Sequence, residues 1–251
     1  DLTTGLVGEF PELQGTVGGL YARNDGHPEA VARAIEEHYL PTSLAGARPS
    51  TLPGCIVALA DKLDLLAGCF AAGLLPKGSA DPLGLRRAAQ GFCLILNTPP
   101  ASDAKGSVTL TRAIQAGLSL YAAQGIRPQD EQGAARALAE FLSQRLRYMM
   151  EERGMRTDTA RAVLTAGADD IRSAWQRATA LTELRDPASG GGGGDEDFTA
   201  LAASAKRIRN ILAQAKEKGM PVDGRPVLPA LLAAPAEVAL HAAVEQTGAS
   251  V

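Results

Sequence analysis

The chain has 251 residues, a formal net charge of −3, 45% hydrophobic residues, 4% aromatics and three cysteines. That balance excludes a uniformly basic nucleic-acid binder and a disulfide-built scaffold, and no run approaches the ~18–20 consecutive apolar residues of a membrane helix, so a soluble protein is expected. Recurrent Ala, Leu and Arg with few aromatics favour packed helices over strands, so the expected fold is all-α, in two domains.

From Asp1 to about Leu96 the apolar spacing is helical, broken at "DGHP" (25–28), "LAGARPSTLPG" (44–54) and "LPKGSADP" (75–82), which predicts four or five helices. "DPLGLRRAAQGFCLIL" opens with Asp81 as the N-cap and Pro82 at the first helical position, and sets Leu85, Ala88, Ala89 and Phe92 on one face. "NTPPASDAKGS" (97–107) breaks the periodicity and marks a domain boundary, so residues 1–97 form one predicted domain and 98–133 a linker with one helix, "TLTRAIQAGLSLYAAQ", followed by the polar turn "RPQDEQG".

A second domain, 134–251, is predicted to begin near Ala134, where Leu138, Phe141, Leu142, Leu146 and Met149 repeat at helical spacing before Gly154 stops the helix. "SGGGGGDED" (189–197) reads as a flexible acidic insertion between two helices. In "LAASAKRIRNILAQAKEK", Leu201, Ala205, Ile208, Leu212 and Ala215 form one stripe, and Lys206, Arg209, Asn210 and Gln214 fall largely on the other side. Charge is segregated: residues 199–225 set six Lys or Arg against Glu217 and Asp223, and residues 1–40 set two Arg against seven acids. Cys55, Cys69 and Cys93 sit in apolar runs without CxxC spacing and read as buried thiols of a reducing compartment. The chain begins at Asp1 with neither Met nor a signal-peptide pattern, which reads as a piece of a longer polypeptide.

"ALADKLDLL" (58–66) resembles the run that ends the metal site of HD phosphohydrolases. Such a site needs an early His, a His-Asp pair and a final Asp around one or two divalent ions. Asp61 matches the final Asp and Asp1 the Asp of the pair, but His27, His38 and His241 have no ligand spacing and are expected in capping or surface roles. The expectation is no metal in this chain, with Asp1 and Asp61 as relics.

In order, "DLTTGLVGEFPELQGTVGGLYARNDG", "AIEEHYLP", "ALADKLDLLAGCFAAGLLPKGSADPLGLRRAA" and "KRIRNIL" resemble the β subunit of bacterial-type glycyl-tRNA synthetase, closely from Asp1 to about Leu96 and more loosely through "FLSQRLRYMMEERGMRTDTARAVL". The resemblance implies an HD-like helical domain followed by part of a helical anticodon-binding domain. It further implies tRNA(Gly) and the α subunit as partners in an α2β2 enzyme, with neither membrane nor DNA as a partner. It implies no catalytic residue and no cofactor here, since the α subunit attaches glycine with ATP and Mg. The implied location is the bacterial cytoplasm, with the plastid as the alternative.

For gripping RNA, the residues singled out are Arg86 and Arg87, adjacent on a helix; Arg145 and Arg147, flanking Leu146; and the cluster Lys206, Arg207, Arg209 and Asn210. Tyr21 and Tyr148 are candidates for base stacking, although an aromatic at helical spacing is more often core. Each arginine taken alone is more often a solvated or ion-paired charge. The rival readings are a metal-dependent phosphohydrolase acting on nucleotides, with Asp1 and Asp61 as ligands, and a purely structural helical scaffold.

Overall fold

A computed structural model describes residues 3–76, 81–101, 108–186, 194–220 and 234–248. Every regular element among them is helical, as the composition predicts. In chain order these are α1 (Gly5–Glu9), a 3-10 turn (Pro11–Leu13), α2 (Thr16–Asn24), α3 (Glu29–Glu37), α4 (Leu52–Ala71), α5 (Leu85–Leu96), α6 (Leu110–Ala123), α7 (Glu131–Glu152), α8 (Thr157–Thr165), α9 (Ile171–Arg185), α10 (Gly194–Glu217) and α11 (Pro235–Gly248).

Local chemistry sets the helix starts. Thr51, Thr109, Asp130 and Asp170 each accept the N–H three residues on, from Gly54, Arg112, Gly133 and Ser173. Such caps satisfy amides that have no partner within the helix. Two of them correct the sequence reading. Thr51 brings Pro53 and Gly54 into the first turn of α4, shortening the predicted 44–54 loop, and Asp130 starts α7 three residues before Ala134. Asp81 is not the N-cap of α5: left-handed Gly84 (φ 68°) takes that place, because the chain turns there after Pro82. Asp81 acts from further out, its Oδ2 accepting the Arg86 N–H at 3.0 Å and the Arg87 N–H at 3.4 Å.

The chain divides into two compact units, 1–192 and 193–251. In the first, Leu66 and Phe70 of α4, Leu85 and Phe92 of α5, Ile114 of α6, Leu138, Leu142 and Leu146 of α7, Val163 of α8 and Ile171 of α9 share one buried cluster. Helices on both sides of residues 97–133 fill that cluster, so this segment does not separate two cores. Phe141 is half-buried and packs against Phe70 in a tilted arrangement, with ring centroids 5.5 Å apart. Each large aliphatic chain buried this way contributes about 1.5–3 kcal/mol. In the second unit, Asp195, Glu196 and Asp197 lie in the first turn of α10 rather than in an insertion loop. The glycines at 190–193 lie outside the described residues.

One long-range tie fixes α6 in place. Asp169, in the turn before α9, accepts the Thr111 N–H on Oδ1 at 2.7 Å and the Leu110 N–H on its main-chain oxygen at 2.8 Å. These bonds to Thr111 hold the carboxyl below the usual aspartate range. We expect Asp169→Ala to cost about 1–2 kcal/mol, as loss of a helix cap does. The check is a thermal midpoint at neutral pH lowered by about 2–8 °C.

Candidate nucleic-acid interface

Arg86 of α5 and Arg145 of α7 come from helices that pack together, and the charge of the first acts on the second. Leu85, Ala88 and Ala89 of α5 and Leu142, Leu146 and Met149 of α7 zip the helices together and leave both arginines at the edge of the packed face. Arg145 is half-buried, its guanidinium carbon 5.6 Å from the Tyr148 ring centroid and 5.9 Å from that of Phe141. Loss of hydration pushes its pKa down, and the Arg86 charge pushes further in the same direction. Tyr148 and Asp81 act the opposite way, and Arg147 adds a smaller repulsion.

Two polar atoms of this seam, Arg145 Nε and Asp81 Oδ1, are buried without a hydrogen-bond partner. A buried N–H left unpaired costs about 1–3 kcal/mol. An arginine that is partly dehydrated and crowded by a second arginine is stabilised by an anion that reaches its guanidinium from solvent. Arg87 is exposed on the same turn of α5. Tyr148 is 38% exposed and Tyr21 48% exposed, so neither is the core aromatic that helical spacing favoured.

Arg147 does not join this seam. Two positions from Arg145 is about 200° around a helix, and Arg147 instead lines a groove of about 210 Å³ with Arg161, Ser143 and Gln144. It stands 3.9 Å from Glu151, an exposed i,i+4 pair of small energetic weight. The sequence reading missed Arg161, because a lone arginine in an ordinary amphipathic helix gives no signal.

In the second unit Lys206, Arg207, Arg209 and Asn210 are all exposed on α10. Lys206 and Asn210 stack one turn apart, and Arg207 and Arg209 flank them, a cationic strip along one side of a 24-residue helix. Asp197 lies nine residues before Lys206 on the same helix, about 13 Å along the axis.

The metal candidates are placed differently. Asp61 is exposed, and the side chain of "ADKLD" that turns inward is Lys62, whose Nζ donates to the His38 main-chain oxygen at 2.9 Å. Burial lowers the Lys62 pKa. Among the described residues no three His, Cys, Asp or Glu side chains gather as a metal site, and Asp1 lies outside those residues. His27 is exposed, His38 caps the end of α3 and His241 is half-buried on α11. Cys55 and Cys93 are buried and Cys69 half-buried, all as free thiols, with desolvation pushing Cys93 up to about 12.

Residues 1–165 match the family model described as glycyl-tRNA synthetase beta subunit. The chain belongs to this beta-subunit family. It is 44% identical over 247 residues to the glycine--tRNA ligase beta subunit of Acidobacterium capsulatum, a match covering 97% of this chain and 32% of that protein. The corresponding subunit of Moorella thermoacetica is 41% identical, with 87% of this chain and 30% of the relative covered. That of Myxococcus xanthus is 40% identical, with 100% and 34% covered. This beta-subunit chain thus spans about a third of the length of the curated relatives it matches. The match from residue 1 to 165 takes in α5 and α7, and with them the Arg86–Arg145 seam. No helix of the described residues is long and apolar enough to cross a membrane.

Proposed function

We propose that this chain is a tRNA(Gly)-gripping part of the beta subunit, holding the RNA while the α subunit joins glycine to it with ATP and Mg. The chain itself makes and breaks no bond. The observation that carries the reading is the seam: Arg145, half-buried against Phe141 and Tyr148 and repelled by Arg86, is stabilised by a phosphate oxygen on its guanidinium. Exposed Tyr148 beside it offers a face for an unpaired base, and the strip on α10 adds phosphate neutralisation. In this reading residues before the glycine run form a helical domain of HD type that does not use Asp61 for catalysis, and α10 begins an anticodon-binding domain. The assembly is α2β2 in the bacterial cytoplasm.

The test is binding of tRNA(Gly) and of a non-cognate tRNA to the chain across a salt series, with Lys206→Glu alongside. The expected result is preference for tRNA(Gly), affinity falling steeply with salt, and a slope shallower by about one unit in Lys206→Glu. Equal binding of both tRNAs with an unchanged slope overturns the reading, and no binding of either leaves the segment a scaffold.

A further inference from the structure

A cleft of about 300 Å³ opens beside the end of α7, lined by Leu44, Arg48, Leu94, Met149, Arg153 and Trp175, with Glu152 at its edge. That volume is at the lower end of what small-ligand sites occupy. The chemistry of the lining is uneven. Leu44, Leu94 and Met149 make an apolar floor, and the Trp175 ring is half-buried with the Arg153 guanidinium carbon 5.9 Å from its centroid. On the other side, Arg48 turns Nη1 and Nη2 back to the main-chain oxygens of Gly46 and Leu44, at 3.4 and 3.3 Å. Its Nε is buried without a partner.

The Nε is closed off from solvent, but each Nη carries a second N–H that a purely apolar guest would leave unsatisfied, and a simple anion would leave the indole face unused. One ligand class uses both: an aromatic base carrying a phosphate. We propose that this cleft binds a single unpaired nucleotide, its base on Trp175 with the Arg153 guanidinium moved outward to cover it and its phosphate on Arg48. Stacking on an aromatic ring capped by a guanidinium suits any base, and Glu152 accepts from an exocyclic amine or a ribose hydroxyl. A free mononucleotide and a nucleotide turned out of an RNA strand present the same chemistry here. The site is built from the 44–48 loop, α9 and the end of α7, uses neither Arg86 nor Arg145, and does not rest on the tRNA reading.

Trp175 is the one tryptophan of the chain, so fluorescence excited at the red edge, where indole absorbs and tyrosine does not, reports this cleft. We would titrate the chain with AMP, adenosine and single-stranded hexaadenylate. Saturable quenching by AMP, weaker with adenosine, assigns the cleft to free mononucleotides; saturation by hexaadenylate but not AMP assigns it to a strand. Both support the proposal, provided Arg153→Met and Arg48→Met each weaken binding at least tenfold. Arg153 is exposed, so its variant carries the test should Arg48→Met fail to fold, as judged by its thermal midpoint. No saturable change with either nucleotide probe, or affinity unaltered in Arg153→Met, overturns the proposal.

Discussion

Arg145→Glu is expected to lower the affinity of the chain for tRNA(Gly) by about ten- to hundredfold, the range for losing one charge-assisted hydrogen bond and placing a carboxylate beside a phosphate. The substitution acts on a charge that burial and Arg86 both disfavour until an anion arrives. It should also flatten the dependence of log affinity on log salt by about one to two units, because a released counterion is lost from the balance. Arg145→Gln separates two contributions. It keeps a polar chain beside Phe141 and Tyr148 but carries no charge, so it should fall between wild type and Arg145→Glu. Arg147→Glu, in a different groove and already facing Glu151, should change affinity much less. Fluorescence anisotropy of labelled tRNA across a salt series reads all three. An Arg145→Glu chain that folds normally and binds with unchanged affinity removes the seam from the interface.

What the sequence showed of this seam, and what it hid, follows from the range of the interactions. Helical periodicity reports which face of a helix is buried, and it placed Leu85, Phe92, Leu138, Leu142 and Leu146 correctly in the core. The same periodicity sets Lys62 four positions after Ala58 and four before Leu66, on the inward stripe, so the buried member of "ADKLD" is legible as the lysine rather than the aspartate. The pairing of Arg86 with Arg145 was not legible, because 59 residues separate them and no local pattern encodes which turns of α5 and α7 face each other. The same reason hid the Asp169 tie to α6 and the cleft under Trp175. Domain extent misread for a related cause. A Pro- and Gly-rich stretch such as 97–107 looks the same whether it links two cores or loops out of one, and only the shared burial of α5 and α7 distinguishes these.

Glu37→Ala should be the most destabilising single change outside the aliphatic core, at about 3 kcal/mol, with a thermal midpoint about 6–12 °C lower. The carboxylate sits at the end of α3, only 7% exposed, and accepts from Ser50 Oγ at 2.5 Å, Thr51 Oγ1 at 2.7 Å and the Thr51 N–H at 3.2 Å. Thr51 Oγ1 in turn accepts the Gly54 N–H at 3.1 Å, so Glu37 orients the cap of α4 as well as tying α3 to it. The approach is so close that a Cβ on Gly54 would fall on the Glu37 carboxylate. Burial alone would raise the Glu37 pKa, but the side-chain and main-chain bonds from Ser50 and Thr51 outweigh it and the net shift is downward. A carboxyl held lower in the folded chain than in the unfolded one stabilises fully above the unfolded value, near pH 4.3, and loses that contribution as pH falls through the folded value. Stability of the wild type should therefore drop from about pH 5 downward more steeply than that of Glu37→Gln, which keeps the shape but cannot titrate. Urea unfolding from pH 7 to pH 3 compares the two curves. They converge at low pH if the ionised carboxylate is the stabilising species, and they run parallel if Glu37 contributes only its packing.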